Sequence, residues 1–256
     1  MTATPAPTDE PNTGGAGATS PVLPTLAGRR VLVTGAASGI GEATVAACRA
    51  RGATVAGFDV AEVAEPADDG VRHFVCSVAD EDAVRDRVAD AVAWLGGLDS
   101  VLHVAGIIID AQIGVDELSL ADWETMIGVD LTGAFLVAKH TLPHLARSPH
   151  SSLVLTGSGA GVHNAHASVS YAAAKGGLNG LAITLEETWR RRGVSVIALL
   201  VGSVDTPLVR RFGSGEEARN KRKAENLLLE SAEVGALMAF LASPDGSAVR
   251  GPVRTW

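Results

Sequence analysis

The chain has 256 residues, a formal net charge of −8, and 46% hydrophobic but only 4% aromatic residues. That length suits one α/β domain with a short appendage, and a core of Val, Leu, Ile and Ala suits buried parallel strands. The acidic balance gives no footprint for nucleic acid, which needs clustered Lys and Arg, and no apolar run reaches the roughly 18 residues of a membrane span.

Residues 1–25 carry Pro5, Pro7, Pro11, Pro21 and Pro24 with Gly14, Gly15 and Gly17, and large apolar residues only at Val22 and Leu23. Such a segment buries too little surface to offset its ordering entropy and reads as a disordered tail. It lacks a basic segment followed by an apolar stretch, so no signal peptide is expected. A single domain is expected over 26–256. Its first strand is Val31-Leu32-Val33, running into glycines, and residues 40–51 follow with helical spacing. Thr54-Val55-Ala56-Gly57-Phe58 reads as a second strand ending on Asp59, and residues 71–75 as a third. A charged amphipathic helix is predicted over 80–95, then a strand at Val101-Leu102-His103-Val104. Residues 119–147 read as helix bent around Gly128 or Gly133, Leu153-Val154-Leu155 as a fifth strand, 168–192 as a long helix, 194–200 as a sixth strand and 231–243 as a last helix. This alternation predicts a Rossmann-type doubly wound parallel sheet with helices on both faces. Cys48 and Cys76 fit no metal-ligand spacing and read as buried thiols of a reducing, cytoplasmic environment.

The first strand runs into Thr34-Gly35-Ala36-Ala37-Ser38-Gly39-Ile40-Gly41 and then a helix. A glycine-rich turn between strand and helix lets the backbone approach a pyrophosphate, and the helix N-terminus offers free N–H groups and partial positive charge. Strand, turn and helix together, rather than the glycines alone, point to dinucleotide binding. Asp59 closes the second strand, where a carboxylate accepts hydrogen bonds from adenosine ribose hydroxyls and repels a 2′-phosphate. Ala37 supplies no charge to welcome that phosphate, so NAD is expected over NADP. The bland alternative makes Asp59 a strand-end cap.

Tyr171 and Lys175 lie four apart in a predicted helix and so share a face. A phenol, ionising near pH ~10, is a poor base at neutral pH, and a nearby ammonium favours its phenolate. The pair can donate a proton to a ketone or accept one from an alcohol. Ser158 follows the fifth strand and can hold a substrate oxygen. The glycine turn, Asp59, Ser158 and Tyr171 with Lys175, in this order, resemble the short-chain dehydrogenase/reductase family over about residues 26–251. The resemblance implies an enzyme interconverting a small-molecule secondary alcohol and a ketone by hydride transfer with NAD. Ser158 would orient the substrate oxygen, Tyr171 would transfer the proton, and Lys175 would assist Tyr171 and hold the nicotinamide ribose. Val78, Ala105, Gly106, Val204 and Thr206 would line the cofactor, Thr206 at the carboxamide.

Several positions depart from the family pattern. Val129-Asp130-Leu131-Thr132-Gly133 has Asp130 where the family has an Asn that supports a water relay. The Asp130 charge would act on Lys175 and partly cancel its pull on Tyr171, predicting a more alkaline rate optimum. His103-Val104-Ala105-Gly106 lacks the family's amide side chains, Ser77 replaces an Asp that contacts adenine, with Asp80 too far along to substitute, and Val201-Gly202 replaces Pro-Gly. The chain ends at Gly251-Pro252-Val253-Arg254-Thr255-Trp256, so the final strand region is expected to be shortened. A homodimer through the helices at 128–147 and 168–192 is expected, with a tetramer left open.

Other features carry bland alternatives. His163 and His166 would line a substrate pocket or be exposed loop histidines. His140, His144 and His150 lack thiolate or carboxylate company, so no metal is expected. The basic residues of the loop 202–229, Arg210, Arg211, Arg219, Lys221, Arg222 and Lys223, would attract an anionic group or form a solvated helix face. Gly157-Ser158-Gly159 is no hydrolase elbow, because Thr156 and Ala160 stand where glycines are needed. Two other functions fit the same residues: a non-redox dehydratase, epimerase or isomerase on this fold, and a cofactor-binding regulatory protein with little turnover.

Overall fold

Successive side chains of a strand point to opposite faces, and β1 (Arg30–Thr34) shows the result. Val31 and Val33 join the apolar core on one side of the sheet, and Leu32 joins the core on the other. Fully burying one such side chain contributes about 1.5–3 kcal/mol. The computed structural model describes residues 25–64, 70–109, 113–162, 168–212, 216–225 and 227–255. Apart from Thr25, the predicted tail lies outside the described residues.

The other strands are β2 (Thr54–Asp59), β3 (Val71–Val75), β4 (Ser100–His103), β5 (Ser151–Ser158), β6 (Val194–Val201), a β7–β8 ribbon described below, and β9 (Val253–Arg254). One sheet of 7 parallel strands runs β3-β2-β1-β4-β5-β6-β9. β1 pairs with β2 from Arg30↔Thr54 and with β4 from Val31↔Ser100, so the order reverses at β1 and β4. α1 (Gly39–Ala50) and α8 (Ser231–Leu241) cover one face. α2 (Glu81–Leu95), α4 (Gly133–Leu145) and α5 (Val169–Trp189) cover the other. This is the doubly wound parallel sheet that the sequence predicts.

The differences have local causes. The bent helix is α3 (Leu120–Ile127) joined to α4 by a π-helical turn over Gly128–Thr132, so its irregularity spans the interval between the two candidate glycines. The shortened last strand persists as β9, pairing Leu199↔Val253 and Leu200↔Arg254. The loop at 202–229 holds β7 (Val204–Asp205), α6 (Pro207–Phe212), α7 (Glu216–Ala224) and β8 (Leu229–Glu230), with β7 pairing β8. Part of its charge is organised around one side chain. The buried Asp205 carboxylate meets Arg210 Nε at 2.7 Å and Lys223 Nζ at 2.6 Å, and these two cations hold it far below the usual carboxylate range.

Candidate active site

In open α/β sheets ligands sit beyond the carboxyl ends of the strands, where strand order reverses. A cleft of about 550 Å³ lies there, past β1 and β4. Its lining includes Gly35, Ser38, Gly39, Ile40, Gly41, Asp59, Val78, Ala105, Gly106 and Thr206. Val204 instead is buried in β7 opposite Leu229. Ser77 lines the cleft, whereas Asp80 turns away and caps α2 by accepting from the Ala83 N–H at 3.1 Å. Sequence reasoning passed over Cys76, Val129 and Leu208 as lining residues, and named Arg211 only among the cations that would attract an anionic group or form a solvated helix face. Burial pushes the Cys76 thiol up to about 11 and the Cys48 thiol up to about 12, against reactivity at neutral pH.

The turn can close against β1 and β4 because its backbone is bare where a side chain would strike the chain itself. A Cβ on Gly41 would overlap the Gly35 carbonyl oxygen. Gly35 itself has φ +68, and a Cβ there would sit 2.9 Å from the Ala105 backbone. Ser38 caps α1 without a hydrogen bond from its own side chain. The Asp59 carboxylate is fixed at the turn, accepting from the Ala37 N–H at 2.9 Å and the Ala61 N–H at 3.0 Å.

His103 explains how the sheet manages without the amide side chains. The Thr34 hydroxyl accepts from the Val104 and Ala105 N–H groups, both at 3.1 Å, so its own proton goes to His103 Nδ1 at 2.9 Å. The ring thereby ties β4 to β1 in the neutral Nε2–H form. Burial, with the Lys175 charge nearby, pushes its pKa down to about 3.

Lys175 is buried on α5, and its position is set from three directions. Nζ donates to the Thr156 carbonyl at 3.1 Å, lies 3.0 Å from Asp130 Oδ2, and sits 5.5 Å from the Tyr171 ring centroid. The Asp130 contact is an ion pair rather than an aligned hydrogen bond. Asp130, fully buried in the π-helical turn, is anchored because Oδ1 accepts from the Ile107 N–H at 2.8 Å. Burial opposes the lysine's charge, but Asp130 and Tyr171 outweigh it and hold the ammonium above the usual lysine range. Ser158 ends β5, and its hydroxyl accepts from the Ala160 N–H at 3.2 Å. The turn after it is pressed onto α5: a Cβ on Gly161 would come within 2.5 Å of the Lys175 carbonyl carbon. The fold therefore draws Ser158's turn, Tyr171 with Lys175, and Asp130 together from three separate sequence segments.

His163 and His166 lie outside the described residues. His140 Nε2 is 3.3 Å from Glu81, which also pairs with Lys139. Among the described residues no group of three or more His, Cys, Asp and Glu is placed to hold a metal ion, and no helix is long and apolar enough to cross a membrane.

A nucleotide cleft at the switch point with a tyrosine–lysine pair on α5 marks a dinucleotide-dependent oxidoreductase. A family model described as enoyl-(acyl carrier protein) reductase matches residues 35–254, and the chain belongs to the short-chain dehydrogenase/reductase family, whose dehydrogenases use a nicotinamide cofactor. It is 36% identical over 239 residues to cis-4-hydroxycyclohexanecarboxylate dehydrogenase of Sinomonas cyclohexanicum, covering 89% of this chain and 94% of that protein. It is 33% identical over 237 residues to D-threitol dehydrogenase of Mycolicibacterium smegmatis, covering 88% and 90%. The fold matches the ligand-free aldohexose dehydrogenase of Thermoplasma acidophilum with a TM-score of 0.80 at 24% identity, covering 90% of this chain and 93% of that one.

Proposed function

We propose that this chain interconverts a small-molecule secondary alcohol and a ketone, with NAD rather than NADP as its cofactor. The observation that carries the cofactor choice is the Asp59 carboxylate, which lines the cleft and is held in place by two backbone N–H groups. Held there, it accepts ribose hydroxyls and repels a 2′-phosphate. Gly35, Ser38, Gly39, Ile40 and Gly41 cradle the diphosphate, and Val78, Ala105, Gly106 and Thr206 support the rest of the dinucleotide. Bound NAD supplies the hydride acceptor or donor. Ser158 orients the substrate oxygen through its hydroxyl. Tyr171 moves the proton at that oxygen, and Lys175, held charged by Asp130, stands beside the Tyr171 ring and reaches the nicotinamide ribose. The dehydrogenases among the relatives support an alcohol as substrate.

Titration of the protein with NADH and NADPH tests the cofactor choice. Wild type is expected to bind NADH more tightly, and Asp59→Ala to narrow the gap at least about tenfold, the size of one charged hydrogen bond. Tighter binding of NADPH by wild type would sink the NAD reading.

A homodimer through α4 and α5 also belongs to this reading. Phe135 on α4 and Ile183 on α5 are 47% and 60% exposed, and a partner across these helices would cover them. Sedimentation at micromolar concentration should then give twice the monomer mass, and a monomer would refute the assembly.

A further inference from the structure

The cofactor cleft has a second wall, and it carries a charge. Among the described residues the cleft is lined by two charged side chains, Asp59 and Arg211, and only Arg211 is a cation. It comes from α6, which begins directly after Thr206. A Cβ on Gly39 would lie 3.4 Å from the Thr206 methyl and 3.7 Å from Pro207 Cδ. The start of α6 therefore faces the first residue of α1, where free N–H groups meet phosphate. Residues three and four apart share a helix face, so Arg211 stands with Leu208 and Pro207, which also line the cleft. It lies one turn, about 6 Å, further along α6, within the span of an extended arginine. Arg210 takes the other direction and is engaged by Asp205 at 2.7 Å. Asp205 also holds Lys223 of α7, so the base of α6 is pinned while Arg211 faces the cleft.

We propose that Arg211 is a cofactor-holding residue: its guanidinium pairs with the dinucleotide's diphosphate from the α6 side, opposite the glycine turn. A dianionic diphosphate met only by backbone N–H groups has one face open to water. A guanidinium fork supplies paired donors to phosphate oxygens on that face. The inference rests on dinucleotide binding in this cleft, not on which dinucleotide is preferred.

The test is equilibrium titration of wild type, Arg211→Leu and Arg211→Lys with NADH, NADPH, ADP and adenosine. Arg211 is exposed, so both variants are expected to fold as wild type does, checked by an unchanged melting temperature. Arg211→Leu should weaken NADH and ADP about tenfold and leave adenosine unchanged, and Arg211→Lys should fall between. Weakened adenosine binding would place Arg211 at the nucleoside and overturn the proposal. A loss for NADPH much larger than for NADH would place it at the 2′-phosphate, with the same consequence. Unchanged NADH and ADP binding would remove Arg211 from the cofactor altogether. Wild type binding none of the nucleotides would instead overturn the cleft as a nicotinamide site.

Discussion

Tyr171→Phe is expected to lower turnover about 10³-fold while leaving NADH affinity within a factor of about two. The substitution removes one oxygen and keeps the ring that sits 5.5 Å from Lys175 Nζ. The nucleotide cleft is lined by other residues, so binding should survive. What disappears is the group that exchanges a proton with the substrate oxygen. Such groups contribute typically 10²–10⁴-fold, and Tyr171 is the only tyrosine in the chain, so no second phenol can replace it. Steady-state rates beside a nucleotide titration separate the two effects. A mutant that keeps a tenth or more of wild-type turnover would move the proton transfer to another residue.

Breaking the Asp130–Lys175 pair should have the largest effect on stability. Asp130→Leu leaves a buried ammonium hydrogen-bonded to the Thr156 carbonyl but without its counter-charge, and removing one member of a buried ion pair costs about 3–5 kcal/mol. Urea denaturation should show that loss as a lower midpoint at an unchanged slope. The raised folded-state value for Lys175 fixes the sign of the pH dependence. The pair's stabilisation is fully present below the unfolded lysine value of about 10.4, and is lost as pH rises through the folded one. Asp130→Asn keeps the shape and removes the carboxylate that competes for the ammonium. Its rate optimum should move to lower pH by about half a unit to one unit. An identical profile in wild type and Asp130→Asn would show that the carboxylate does not act on the reaction.

Fold and site were legible to different depths. The parallel sheet could be read because apolar runs end in turn residues at regular intervals, and β3 occupies the predicted residues 71–75. The tyrosine–lysine pair could be read because both lie on one helix, four residues apart. The ion pair was only half legible. The sequence shows an acid in place of an amide at Asp130, but its 3.0 Å approach to Lys175 depends on how α5 crosses the π-helical turn. The Thr34–His103 hydrogen bond joins adjacent parallel strands far apart in sequence and leaves no local pattern. The charges of 202–229 read as a solvated run because ion pairs made through a buried Asp205 have no periodicity to betray them.

The π-helical turn at Gly128–Thr132 also sets a phase relation between two helices. An α-helix rotates by about 100° per residue, so a wide turn that absorbs one additional residue keeps in phase two helices that a regular winding of the same sequence would set off by that angle. α3 buries Met126, and α4 buries a stripe that includes Leu136, Val137 and Leu142. Deleting a single residue from the wide turn would restore a regular helix with both buried faces still in phase, but would remove the widened backbone that sets Asp130 against the α5 lysine. The length of this segment is thus fixed to the residue, and the chain should tolerate substitution here far better than insertion or deletion.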